Sequence, residues 1–281
     1  MSNYEHLIYE QRGPVTVITI NRPERMNAIG PPTHHELVDA WNRFRTDDAA
    51  LVGVLTGAGE RAFCAGGDLK AAFAGEGPTD NPAELAAHDR GERPGVLGPS
   101  RWTDIYKPTI AAINGVAYAG GLEWACWTDL AIADEHATFG VTCRRWNIGL
   151  ADGGTQRLTR ILGYRRAIEL IITGRVIDAH EAKTIGLVNE VVPRGTCLQR
   201  SIQLAETLAA LPQPALRTDI EAARSGHGRP LEDGLRIEAG CFNRSIVDPQ
   251  THEGLRRFNE RDHPDRRPGT AAITPGIARS V

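Results

Sequence analysis

The chain predicts an α/β domain, and three observations carry that reading. Strand and helix patterns alternate through the first half, two glycine-rich segments each follow an apolar strand, and from Gly154 onward the pattern turns helical. With 281 residues there is room for one large α/β core and a smaller helical region.

The elements follow in order. Residues 7–10 and 15–20 flank Gly13-Pro14 and read as a hairpin, which Asn21-Arg22-Pro23 ends. Pro31-Pro32-Thr33 prepares a helix over 34–44, with Leu37, Val38, Trp41 and Phe44 at helical spacing. Strands are expected near 51–56, 109–113 and 130–133. Residues 75–100, rich in Gly, Pro, Asp and Glu, read as an exposed loop with at most one short helix at 82–88. Bordering a candidate site, that loop is read either as a lid or as a plain insertion. Helices are expected over 155–162, 165–172, 179–185, 196–210, 214–224 and 231–246, interrupted by a strand at 187–192. The end, from His263, is rich in Pro, Arg and Gly and reads as disordered. The expected division is a core over 1–195, a helical region over 196–262 and a tail over 263–281.

Composition narrows the function. A net charge of -3 argues against nucleic acid or an anionic membrane as partner, because both require concentrated positive charge. The five cysteines are odd in number and scattered, which predicts reduced thiols in a cytoplasmic compartment. Neither they nor His34, His35, His88, His136 and His180 show metal-ligand spacing, so no metal site is expected. No leader and no membrane-length apolar run is found, so the expectation is a soluble protein.

The chemistry is concentrated at the two glycine segments, Phe63-Cys64-Ala65-Gly66-Gly67-Asp68 and Ala119-Gly120-Gly121-Leu122-Glu123. Glycine lets backbone approach a ligand closely, and a strand-to-helix turn aims unpaired N–H groups outward. Two such turns facing each other would supply two donors to one oxygen, the geometry of an oxyanion hole. Glu123 sits in an apolar setting of Leu122, Trp124, Ala125 and Cys126, where an idle charge is costly. Catalysis therefore outweighs simple complementation of the helix dipole for this residue.

These segments resemble the crotonase superfamily, the enoyl-CoA hydratase/isomerase family. The resemblance rests on Asn21-Arg22-Pro23-Glu24-Arg25-Met26-Asn27-Ala28 and the 63–69 segment. Further blocks are 107–115 with 119–123, then Gly153-Gly154-Thr155-Gln156-Arg157-Leu158, Thr173-Gly174-Arg175 and Gly186-Leu187-Val188, all in family order over roughly residues 5–260. It implies a ClpP/crotonase-like spiral of ββα units with a C-terminal helical region used in trimer contacts. It also implies an acyl-CoA thioester as ligand, with coenzyme A part of the substrate and no separate cofactor. By position, Ala65 and Gly120 would form the oxyanion hole and Glu123 would be one of two catalytic glutamates. Arg25, Ala65, Gly66, Gly67, Asp68, Leu69, Gly120, Cys143 and Trp146 would line the substrate site. Arg22, Arg25 and Lys70 are candidates for the CoA phosphates. Asp68 by itself reads as a turn or helix cap.

The sequence departs from the family at the second glutamate, whose position holds Cys143. A neutral thiol, with a pKa of about 8.5, is a poor substitute for a carboxylate in activating water. Asp152 stands nine residues on and is read two ways, as the replacement carboxylate or as the cap of the following helix. Arg144 and Arg145 are candidates to shape the acyl pocket or pair with Asp152. The leading expectation is reversible hydration of a 2-enoyl-CoA by Glu123 and Asp152, as in fatty acid metabolism. The alternatives are double-bond isomerisation and a non-catalytic acyl-CoA-binding relative. The apolar side chains Leu231, Leu235, Ile237, Phe242, Ile246 and Phe258 add to the expectation of a homotrimer or homohexamer.

Overall fold

The computed structural model describes residues 4–76 and 94–259. The expected short helix at 82–88, most of the expected loop and the 263–281 tail lie outside the described residues. The chain divides into two compact units, Met1–Ala209 and Ala210–Val281.

The first unit is built on two sheets. Strands β1 (Leu7–Arg12), β2 (Val15–Ile20), β3 (Val52–Gly57), β5 (Thr109–Ile113), β7 (Leu130–Asp134) and β10 (Glu190–Val192) form one sheet in that order. Strands β4 (Ala62–Cys64), β6 (Val116–Tyr118), β8 (Thr138–Gly140) and β9 (Val176–Asp178) form the other. The β1/β2 hairpin and the β8/β9 pair are antiparallel, and every other pairing is parallel. Successive strand pairs β3/β4, β5/β6 and β7/β8 each place their first member in the large sheet and their second in the small one. The strands of the small sheet have three residues apiece, too few for an alternating pattern to announce them.

Both faces of the large sheet are covered, which is why β3 and β5 are buried along their whole length. On one face Ile18, Leu55, Ala111 and Ile113 join the main core. On the other, Val17, Val54, Ile110 and Ile132 pack with Cys197, Ile202 and Ala205. Those three residues lie on the helix Cys197–Ala209, which the sequence reading assigned to the C-terminal helical region. The helix belongs to the first unit because its apolar stripe covers the outer face of the sheet, so the core ends at Ala209 rather than at 195.

Among the described residues the longer helices of the first unit are α1 (Pro31–Thr46), α2 (Gly120–Trp127), α3 (Gly154–Leu162), α4 (Tyr164–Thr173), α5 (Ala179–Thr184) and α6 (Cys197–Ala209). An aromatic cluster locks α1 to α2: Trp41 stacks on Trp124 at 6.2 Å between centroids and meets Trp127 edge-on at 4.7 Å. Lys107 fixes the far end of α1 by donating to the carbonyls of Phe44 (2.8 Å) and Asp47 (2.7 Å). The second unit holds α7 (Gln213–Gly226), α8 (Leu231–Ile246) and α9 (Pro249–Asn259). Helices α7 and α8 approach closely at Gly226 and Gly234, where a Cβ on Gly226 would lie 3.3 Å from the Gly234 Cα. Among the described residues no helix is long and apolar enough to cross a membrane.

Candidate active site

The first glycine turn is held by a buried asparagine. Asn27, in the left-handed region at φ 55, accepts the Arg22 N–H and donates to the carbonyls of Ala58 (3.0 Å) and Ala62 (2.7 Å). This fastens residues 21–29 so that Met26 presents its carbonyl to the Ala65 N–H at 3.0 Å. The Ala65 N–H is therefore committed, and the sequence-based assignment of Ala65 to the oxyanion hole is corrected. The Gly66 N–H meets the Cys64 sulfur and the Asp68 N–H meets the Ile29 carbonyl. Gly67 carries the N–H of this turn that has no acceptor among the described residues.

The second turn joins β6 to α2 through Ala119, at φ 50 and ψ −117. A non-glycine residue in this region stores roughly 1–3 kcal/mol of strain, tolerated where the surroundings over-determine it. Here the Ala119 N–H is held by the Gly140 carbonyl at 2.9 Å and the Ala119 carbonyl accepts the Glu123 N–H at 3.1 Å. Close approach of the turns explains their glycines: a Cβ on Gly121 would lie 1.9 Å from the Cys64 carbonyl oxygen, and one on Gly66 2.8 Å from the Gly120 nitrogen. The Gly120 N–H has no acceptor among the described residues, and a Cβ on Gly120 would sit 3.6 Å from the Gly67 nitrogen. Two unpaired donors, Gly67 and Gly120, thus lie on touching turns, the second at the positive end of α2.

Glu123, one turn into α2, is 2 % exposed. Its Oε1 accepts the N–H groups of Asp152 (2.8 Å) and Gly154 (2.7 Å), while Oε2 accepts nothing among the described residues. Burial first, and the Asp152 charge second, push the carboxyl up to about 7, against the pull of those N–H groups and Arg157. A Cβ on Gly154 would reach 2.7 Å from the Glu123 Cγ, so glycine there makes room for this side chain. Gly153 takes the left-handed conformation at φ 99, and Arg157 lies against it and donates to the Asp152 carbonyl at 2.8 Å.

Asp152 does not cap α3; the cap position is Gly153, with no side-chain hydrogen bond. The buried carboxylate turns instead to the 94–100 segment. Its Oδ1 accepts the N–H groups of Val96 (2.9 Å) and Leu97 (3.0 Å) and the Ser100 hydroxyl. That segment, read from its Gly and Pro content as exposed loop, buries Leu97 and Ser100. Glycine and proline announced the irregular backbone but not the partner that buries it.

Cys143 is buried within reach of the Glu123 charge. Its thiol is pushed up by burial, with Arg144 opposing and Glu123 adding to the shift. The neighbouring residues face elsewhere. The Arg144 Nε donates to the Ile171 carbonyl at 3.2 Å, and Arg145 and Trp146 are exposed. Arg22 is committed to the Ala28 carbonyl and to Asp68. Asp68 caps the helical turn Leu69–Ala71 through its N–H groups, confirming the cap reading and leaving its carboxylate engaged. Burial raises the Asp68 carboxyl, but the Ala71 N–H and Arg22 together hold it below its usual range. Arg25 and Lys70 are exposed cations, and Leu69 is half exposed.

Residues 10–267 match the enoyl-CoA hydratase/isomerase family. The chain belongs to that family. An enoyl-CoA hydratase of Mycobacterium tuberculosis is 34% identical over 264 residues, covering 92% of this chain and 95% of its own. The (E)-benzylidenesuccinyl-CoA hydratase of Thauera aromatica is 35% identical, covering 89% of this chain and 94% of its own. The crystal structure of an enoyl-CoA hydratase from Bacillus anthracis superposes with a TM-score of 0.80 at 35% identity, over 92% of this chain and 97% of that one. The fold is the crotonase fold expected from the motifs, and within it Glu123 stands on the helix that opens at the second of the two touching turns.

Proposed function

We propose that this protein adds water reversibly to 2-enoyl-CoA thioesters. The observation that carries the reading is a buried carboxylate with one oxygen fixed and one that, among the described residues, accepts nothing, beside two turns with N–H groups that have no acceptor among those residues. The Gly67 and Gly120 N–H groups receive the thioester oxygen and stabilise the enolate as charge moves onto it. Glu123 Oε2 takes a proton from water as the water oxygen bonds to C3, and the C2–C3 π electrons pass into the enolate. The same carboxyl then returns its proton to C2, so water is consumed and Glu123 regenerated. A carboxyl near 7 suits both halves of this cycle. The carboxyl raised to about 7 favours Glu123 for both proton steps, while Asp152, expected from the sequence as the second acid/base, uses Oδ1 to hold the 94–100 segment.

A second reading, double-bond isomerisation, is favoured by the thiol at Cys143, because one carboxylate suffices to move a proton between C4 and C2. Incubating the protein with 2-enoyl- and 3-enoyl-CoA thioesters and weighing the products separates the readings. Gain of a water mass supports hydration, migration without mass change supports isomerisation, and an untouched panel leaves acyl-CoA binding alone. The reaction is proposed to need no cofactor beyond the CoA of its substrate, with Arg25 and Lys70 facing the CoA phosphates. A cytoplasmic homotrimer or homohexamer completes the proposal, supported by the exposed Leu231, Leu235, Phe242 and Phe258 of the helical unit.

A further inference from the structure

Leu97 occupies a specific place over the two glycine turns. A Cβ on Gly120 would fall 2.0 Å from its Cδ1, so that methyl lies directly on Gly120, and a Cβ on Gly67 would fall 3.5 Å from its Cδ2. One side chain therefore bridges both backbone segments whose N–H groups lack acceptors among the described residues. An oxygen held by those groups is bonded to C1 of an acyl chain, and C2 is the next atom along. A substituent on C2 meets the wall that closes over the oxygen.

The position of this side chain is over-determined by its backbone. Asp152 Oδ1 accepts the N–H groups of Val96 and Leu97 and the Ser100 hydroxyl, and the Leu97 carbonyl accepts the Trp124 indole N–H at 2.9 Å. The Gly98 N–H reaches His34 Nδ1 at 2.8 Å. Trp124 is adjacent to Glu123 on α2, and the Asp152 backbone N–H holds Glu123 Oε1. Asp152 thus ties the roof of the oxyanion site to its acid/base: its main chain fixes one and its side chain fixes the other.

We propose that Leu97 is a specificity-determining residue that excludes substituents from the carbon next to the thioester carbonyl, and that Asp152 is the positioning residue that holds it in place. The inference rests on the acyl-CoA reading above and extends it to a substrate class: acyl groups unbranched at C2.

Saturated thioesters test this without turnover. Butyryl-CoA and 2-methylbutyryl-CoA are titrated by calorimetry into wild type, Leu97→Ala, Asp152→Ala and Asp152→Asn. Wild type is expected to prefer the unbranched ligand. Leu97→Ala should shift the ratio of dissociation constants toward the branched ligand by about tenfold or more, the usual worth of one methyl group in a close-fitting site. Asp152→Ala should shift it the same way, whereas Asp152→Asn, which keeps an acceptor oxygen, should leave the ratio near wild type. Should Asp152→Ala fail to fold, Leu97→Ala with the Asn variant decides. An unchanged ratio in Leu97→Ala overturns the inference while leaving the acyl-CoA reading intact. Failure of wild type to bind either ligand overturns both.

Discussion

At the scale of single residues, Glu123 links stability to function. Its carboxyl is raised from 4.5 to about 7 by burial first, so the folded state favours the protonated form. The stabilisation from holding that proton is full below the unfolded value and is lost as pH rises through about 7, on the order of 3 kcal/mol in total. Glu123→Gln keeps an acceptor for the Asp152 and Gly154 N–H groups but cannot ionise. Urea unfolding at pH 5 and pH 8 should show a smaller loss of stability with rising pH in this variant than in wild type. Activity should move the other way. Removal of the proposed acid/base should lower kcat/KM by about 10² to 10⁴. In wild type, kcat/KM for hydration should climb through a limb near pH 7 as Glu123 ionises. At the facing turn, Gly120→Val adds atoms where Leu97 already lies and displaces the bound oxygen. A folded Gly120→Val protein should lose about 10² to 10³ in kcat; near wild-type rates would remove Gly120 from the oxyanion site.

At the scale of elements, the start of α3 is a bracket for Glu123. Gly153 supplies the left-handed turn, Gly154 the space, and their neighbourhood two N–H donors. Gly154→Ala should separate rate from stability. Alanine favours helix by up to about 1 kcal/mol over glycine, yet its Cβ would lie 2.7 Å from Glu123 Cγ. Thermal unfolding should therefore stay close to wild type while kcat falls by about 10², the cost of a misplacement on the order of 1 Å. A variant with a wild-type rate would mean that Glu123 tolerates movement and that the bracket is not what aims it. The aromatic contact of α1 with α2 acts in the same sense, because it sets the helix on which Glu123 stands.

At the scale of the whole molecule, the described residues of the helical unit form little core of their own. Among its described residues the buried ones are Gln213, Cys241 and Ser245, while Leu231 is 77 % and Phe258 66 % exposed. Apolar surface of this kind is ordinarily covered. Multi-angle light scattering at micromolar concentration should return a trimer or a multiple of it. A monomer mass of 30.5 kDa would rule that out.

Legibility of the chain follows the range of the interactions involved. Strands β2, β3, β5 and β7 and the main helices were readable because burial imposes its period on local sequence, and the glycine turns because close approach excludes side chains. Glu123 was readable because a charge among Leu122, Trp124 and Cys126 has few idle explanations. Non-local partners decided the rest. Ala65 and Gly67 stand two residues apart in one motif, and only the Met26 carbonyl, 39 positions away from Ala65, determines which N–H stays unpaired. Asp152 before Gly-Gly-Thr fits a helix cap by local rules, yet its oxygen serves a segment more than 50 residues earlier. Helix α6 looks like its C-terminal neighbours by period alone, and the uncovered face of the sheet claims it. Sequence by itself determined the family and the fold class and singled out Glu123 as the acid/base proposed above, because these rest on local pattern and on motifs in a fixed order. Tertiary structure alone decided which donors are free and what each buried carboxylate oxygen holds, because a hydrogen bond is assigned by distance in space and not by spacing along the chain.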